Sequence, residues 1–222
     1  GPLRKTLQKQ FGNKMTTIFL NGPCGNIDSK TPALEHVPYG PERAAYIGET
    51  LAKQAIHALT SEQSKIVESF TLDAVSRTIR LPVRRPSAEQ LALAKKVVSG
   101  EIPLEELAIT GDSKRPSTTK EKVYAQEWIA LAERNESTVT CEINAFRIGN
   151  LALVGVPVEL FCEYGLQIKG KGNELFQRTA VAELANGYLG YIPTVLSFER
   201  GGYETRLARS SCLAPEAGPT IV

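Results

Sequence analysis

The chain has no run of about 18 apolar residues, so nothing in it reads as a bilayer-spanning helix. It holds only two histidines, His36 and His57, too few and too widely separated for a histidine-rich metal cluster. Four cysteines (Cys24, Cys141, Cys162, Cys212) form no CxxC or zinc-finger spacing. Several sit among apolar neighbours, so buried free thiols are the first reading, with a single disulfide left open. An excess of one charge is also missing. The 26 basic and 24 acidic residues leave a net charge of +2, which gives no electrostatic case for nucleic acid or an anionic membrane as a partner. The local pairs Arg84-Arg85 and Lys95-Lys96 read as parts of a solvated face. No signal peptide is evident; the opening GPLRKTLQKQFG reads as a helix. No internal repeat, linker or low-complexity segment stands out.

What remains is ordinary globular composition, 42% hydrophobic and 23% charged over 222 residues, enough for one large domain or two small ones. Leu3, Leu7 and Phe11 share one face of a first helix that Gly12 ends. Met15 to Leu20, MTTIFL, reads as a strand running into the glycine loop NGPCGNID (21–28). Loops of this kind expose backbone N–H groups and often shape sites, although this one fits no phosphate or dinucleotide fingerprint. Pro41 suits the first turn of a helix reaching about Leu59, with Ala44, Ile47, Leu51, Ala55 and Leu59 as its expected buried stripe. His57 on that helix reads as structural, and His36 in the loop before it as more accessible. Ile66 to Val83 reads as extended, with Pro82 marking a strand end or sheet edge. Ser87 with Gln90 makes a capping-box pattern opening a helix to Val98, and Gly100 is its stop. Ile102 to Pro116 is polar and loop-like, and Ser117 to about Arg134 is helical again. TVTCEINAFRI and LALVGV form the arms of a hairpin turning at Gly149-Asn150. A helix from Leu160 is expected to end at the KGKG of 169–172, and Thr179 to Leu184 is a short strand. The alternation predicts an α/β fold, a mixed sheet with flanking helices.

Two stretches draw the eye chemically. Asn186 to Thr205, NGYLGYIPTVLSFERGGYET, holds Tyr188, Tyr191 and Tyr203 on a backbone that Gly187, Gly190 and Pro193 keep from forming a long regular element. Tyrosines there need packing for their rings and partners for their hydroxyls. On residue types alone this reads equally as a tyrosine-rich surface turn. Upstream, the apolar run LALVGV stops at Pro157, and Glu159 follows. A carboxylate just past a buried strand is where open α/β sheets place ligand-binding groups. The plainer reading is that Glu159 favours the N-terminus of the next helix.

Three segments taken together carry a resemblance: FLNGPCGNIDS (19–29), NAFRIGNLALVGVPVELF (144–161) and NGYLGYIPT…GGYET (186–205). In kind and order they resemble the neutral/alkaline ceramidase family, including its bacterial members. The spacing Asn186, Tyr188, Tyr191, Thr194, then Tyr203-Glu204 matches the family's last motif. The resemblance implies a hydrolase of sphingolipid metabolism that cleaves the amide of an N-acyl sphingoid lipid at a zinc site. It implies Glu159 and Tyr191 as metal ligands, and Tyr203 beside the scissile amide as donor to a developing oxyanion. It implies a small lipid or amide substrate, and family members are commonly secreted or periplasmic. Because the family's histidine ligands precede the glycine loop, residues 1–222 are expected to be the later part of one longer catalytic domain, whose missing N-terminal segment supplies the remaining Zn2+ ligands.

The resemblance fails at one chemically important position. Where the family has a serine, Gly25-Asn26-Ile27 is followed by Asp28, with Ser29 one residue late. Asp28 is then the candidate to orient or deprotonate a water, which is general-base chemistry. The same replacement supports an alternative, a catalytically silent ceramidase-like scaffold that binds lipid or carbohydrate. A plain structural fragment would follow if Glu159 and Tyr191 lay far apart.

Overall fold

The computed structural model describes residues 1–62, 64–102 and 118–222. The polar stretch expected over 102–116 lies, apart from Ile102, outside these described residues. The chain divides into two compact units. Gly1–Leu20 and Asp28–Phe70 form the first; Asn21–Ile27 and Thr71–Val222 form the second.

The first unit is helical. α1 (Pro2–Phe11) ends at Gly12 (φ 91°), as its sequence predicts, and packs on α2 (Pro41–Thr60), with Pro2 and Leu3 against Gly48. α2 begins at Pro41 as expected, but its buried stripe is rotated from the predicted one. Ala44, Leu51 and Leu59 are exposed, and the buried positions are Arg43 and Ala52. The cause is Arg43, whose guanidinium donates to the carbonyls of Ser29, Leu34 and Val37 and lies 3.7 Å from the Tyr39 ring centroid. An arginine that donates to three loop carbonyls turns its own side of the helix inward, whatever the apolar count of the next face. His57 is exposed rather than structural, and His36, also exposed, meets Tyr46 edge-on at 5.4 Å. MTTIFL does not form a strand. Residues 15–20 are irregular, with Ile18, Phe19 and Leu20 exposed, because strand propensity makes a strand only when a neighbour completes its ladder, and no described residue does.

The second unit is built on a four-stranded sheet. β1 (Leu72–Pro82), β2 (Thr138–Ile148) and β3 (Leu151–Gly155) are antiparallel neighbours, and β5 (Arg178–Ala182) lies parallel to β3. The hairpin turns at Gly149-Asn150, with Gly149 at φ 60°. β1 is the edge strand, so Pro82 sits at its end without interrupting a central ladder. The extended reading from Ile66 holds only from Leu72, because no described residue forms a ladder with 66–71. α3 (Ala88–Ser99) has the predicted capping box, Ser87 Oγ accepting from Gln90 N and Gln90 Oε1 from Ser87 N, and stops at Gly100 in the left-handed region. It packs on α4 (Thr118–Ala132) through Ala94, Val97, Ala125 and Trp128.

The crossover from β3 to β5 carries α5 (Cys162–Asn173). This helix begins two residues later than expected and runs through the KGKG sequence that was expected to end it. Gly172 explains the continuation. A Cβ there would lie 2.7 Å from Thr179 Cγ2, so the glycine serves close approach of helix to β5 and does not break the helix. The main core gathers Leu81, Cys141, Val156, Val158, Leu160, Phe161, Val181, Ile192 and Leu213. The observed α/β architecture, a mixed sheet with flanking helices, is the one the sequence predicts.

Candidate functional site

Past the end of β3 the chain makes a second, two-stranded parallel pair, β4 (Glu159–Leu160) with β6 (Tyr191–Ile192). In its register Glu159 stands opposite Tyr191. The two expected ligands, 32 positions apart in the chain, are thus cross-strand neighbours, and the reading that needed them far apart loses its premise. Gly190 carbonyl accepts from Glu159 N at 2.9 Å, and Phe161 N donates to Ile192 O, so both ends of the pair are fixed.

The tyrosines close around this pair. Tyr188 Oη donates to Glu159 Oε1 at 2.9 Å. Tyr191 and Tyr203 share a hydroxyl hydrogen bond of 3.2 Å and stack edge to face, centroids 5.6 Å apart. Burial, then the Glu159 carboxylate, pushes the Tyr188 phenol up to about 12. Burial, then Tyr203 and Glu159, pushes Tyr191 up further. Both are therefore neutral donors at ordinary pH, and Tyr191 would become a phenolate only beside a cation. Tyr188 and Tyr203 are each 55% exposed, so the cluster faces solvent and is not sealed in the core.

The segment that follows Tyr203 is held by Arg84, which is not part of the solvated face its sequence suggests. Arg84 is half-buried and donates to the carbonyls of Thr205 (3.0 Å), Ser211 (2.7 Å) and Leu213 (3.1 Å), with its guanidinium over the Phe198 ring. Trp128 Nε1 donates to Leu207 O, and Arg209 pairs with Glu127, so residues 203–213 are tied down along their length. α6 (Val195–Arg200), capped by Thr194, supplies Phe198. Nothing in the local sequence of Arg84-Arg85 signals these long-range carbonyls.

The glycine loop also differs from expectation. Three of its N–H groups are taken up inside the structure. Cys24 N donates to Glu183 Oε2, Gly25 N to Leu160 O, and Ile27 N to Cys24 O. Asn26 Oδ1 accepts from Cys162 N at 2.9 Å and so caps α5, which has no side-chain cap of its own. Gly25 passes so close to β4 that a Cβ would lie 2.6 Å from Glu159 O. Glu183, 5% exposed, is a residue that sequence reasoning misses inside the Thr179–Leu184 strand. It accepts from Asn21 Nδ2, Cys24 N, Cys24 Sγ and Leu160 N at 2.8–3.1 Å. The signal that could find it is the one applied to Glu159, an acidic residue at the end of an apolar strand. All four cysteines are free thiols. Cys24 is pushed up to about 11 by burial and then by Glu183. Leu184 (φ 55°) and Asn186 (φ 63°) lie in the left-handed region, which a leucine adopts only at a cost of ~1–2 kcal/mol.

Asp28 belongs to the first unit, is exposed, and accepts from Lys30 N at 3.3 Å. Among the described residues no group of three or more His, Cys, Asp or Glu could hold a metal ion. Glu159 and Tyr191 offer two oxygen donors side by side, fewer than the three protein ligands usual for catalytic zinc. No helix among the described residues is long and apolar enough to cross a membrane.

No protein-family model matches the chain, and no curated protein matches it. Among solved structures it is similar to a neutral ceramidase from Pseudomonas aeruginosa, with 18% identity and a TM-score of 0.59. It is similar also to a ceramidase complexed with C2, with 16% identity and a TM-score of 0.57. These matches cover 99% and 98% of this chain but only 38% and 39% of those chains. At such identities the likeness is one of fold.

Proposed function

We propose that this chain carries part of the active site of a zinc-dependent amide hydrolase of ceramidase type, acting on an N-acyl sphingoid lipid or a related amide. The observation that carries the reading is the register pair Glu159–Tyr191, ringed by the phenols of Tyr188 and Tyr203. The fold likeness to two ceramidase structures supports it. Glu159 and Tyr191 would each give one oxygen ligand, with the remaining ligands contributed from outside these 222 residues. Zinc bound there would supply Lewis-acid polarisation of an amide carbonyl and a more acidic water.

The chain's own residues do the rest. Tyr188 fixes one carboxylate oxygen of Glu159 and leaves the other free to face a ligand. Tyr203, exposed, donates a hydrogen bond to the oxygen on which negative charge develops. Tyr191 and Tyr203 hold their hydroxyl oxygens 3.2 Å apart, which keeps Tyr203 beside the ligand pair. Asp28 takes the general-base role in place of the family's serine, and Asp28→Asn in the full-length protein should then lower turnover at least ~100-fold. Unchanged turnover removes Asp28 from the mechanism.

Metal content decides the reading as a whole. The full-length protein purified without chelator should hold about one zinc per chain, and Glu159→Ala should lose it. Wild type that takes up no zinc even when it is added back overturns the hydrolase. The second reading, a silent scaffold binding lipid or carbohydrate, rests on Asp28 standing where the resemblance has serine, and it would then be preferred.

A further inference from the structure

Glu183 does more than satisfy a buried corner. Its Oε2 accepts from Leu160 N, the peptide that directly follows Glu159, and from Cys24 N in the glycine loop. Its Oε1 accepts from Asn21 Nδ2 and Cys24 Sγ in the same loop. One carboxylate thus bridges the loop and the strand that carries Glu159. The other contacts of Glu159 point the same way. Its N–H donates to Gly190 O, and its carbonyl lies against Gly25 with no space for a Cβ between. With the peptides on both sides of Glu159 fixed, the direction of its side chain depends on whether Leu160 N and the loop stay in place. Leu184, directly after Glu183, holds a left-handed conformation while its N–H reaches Val158 O. That turn is sustained only if the surroundings over-determine it, and the four bonds to Glu183 are the densest interaction beside it.

We propose that Glu183 is the positioning residue of the Glu159–tyrosine site, a buried clamp that keeps the glycine loop and the Glu159 carboxylate in fixed relation. This rests on the hydrolase reading for its consequence but not for its existence, and the two can be tested apart. Cys24 reports the clamp directly, because its thiol and its N–H are both held by Glu183. Cys162, half-buried at the start of α5 with its thiol donating to Glu163 and not to Glu183, is the comparison thiol.

The test measures the rate of iodoacetamide labelling of Cys24 and Cys162 by mass spectrometry in the full-length protein, as wild type, Glu183→Ala and Glu183→Gln. Releasing the thiol from its carboxylate should speed Cys24 at least ~10-fold in Glu183→Ala while Cys162 changes little. Glu183→Gln, which keeps one accepting oxygen, should fall between and serves if the alanine variant does not fold. Zinc affinity is read in parallel, and loss of a group that orients a ligand should weaken it by ~10-fold. An unchanged Cys24 rate in a folded variant overturns the clamp. A faster Cys24 with unchanged zinc affinity shows a loop anchor that does not position Glu159, and overturns the proposal. Wild type without zinc sinks the hydrolase reading, and the clamp is then decided by the Cys24 rates together with the ultraviolet titration of Tyr188, whose hydroxyl bonds Glu159: a faster Cys24 with a shifted Tyr188 supports it, and an unmoved Tyr188 overturns it.

Discussion

Glu159 and Glu183 are the same residue type, each at the end of a short strand, yet their surroundings differ sharply. Glu183 is 5% exposed and its two oxygens accept four hydrogen bonds. Glu159 is only half-buried and accepts one, from a tyrosine that is itself largely exposed. A carboxylate with every lone-pair direction filled can hold structure but has nothing left for a ligand. One with a single partner among neutral phenols has capacity to spare. The contrast divides the corner into a rigid frame and a face with bonding capacity to spare, and under the proposed function that face is the reactive one.

The largest expected effect breaks the frame. Glu183→Ala leaves Cys24 N and Leu160 N without the carboxylate that accepts from them, and should lower unfolding stability by about 3 kcal/mol or more. Glu159→Ala should change it by less than ~1 kcal/mol. Urea unfolding of the two variants side by side checks this, and equal losses would erase the distinction between frame and face. Next, Arg84→Met strips the donors from three carbonyls and the cation from the Phe198 ring. It should cost about 2–3 kcal/mol, with Arg84→Lys recovering only part. If the tyrosine face depends on its frame, the same variant loosens the Tyr191–Tyr203 contact, visible as a change in the near-ultraviolet circular dichroism of the tyrosines.

A finer test reads the face itself. The folded Tyr188 phenol, pushed up to about 12, binds its proton more tightly than the unfolded one at about 10. Stability from this group is therefore fully present below pH ~10 and is lost as pH rises through the folded value. Removing the carboxylate charge in Glu159→Gln should move this phenol down toward its ordinary range, though not all the way, since burial is the larger cause. Ultraviolet titration follows it, and an unmoved midpoint would mean that Glu159 does not act on Tyr188. The smallest effect is a control away from both carboxylates. Gly170→Ala in α5 meets nothing within 4 Å and should stabilise by ~0.5–1 kcal/mol, without altering Cys24 labelling.

Much of the scaffold is legible in the sequence. The hairpin at Gly149-Asn150, the Ser87–Gln90 capping box, the stops at Gly12 and Gly100 and the edge position of Pro82 are all local signals. A turn, a cap or a missing N–H acts within a few residues, so the sequence states them directly. The tyrosine stretch is legible too, through glycines that deny it a regular element and three rings that need partners. Tyr188 as the partner of Glu159 is not, since alternation and spacing carry no information about which phenol points where.

Most of the elements and the α/β class were thus determined by the sequence alone, because propensity, periodicity and capping are short-range. Tertiary structure alone decided four other matters. Glu159 and Tyr191 became cross-strand neighbours. Arg84 and Arg43 turned inward to backbone carbonyls. MTTIFL found no strand partner among the described residues. Glu183, not the loop's own glycines, took the N–H of Cys24. Each depends on a partner outside the local stretch or on the lack of one, and a hydrogen bond formed across such a separation leaves no period in the chain.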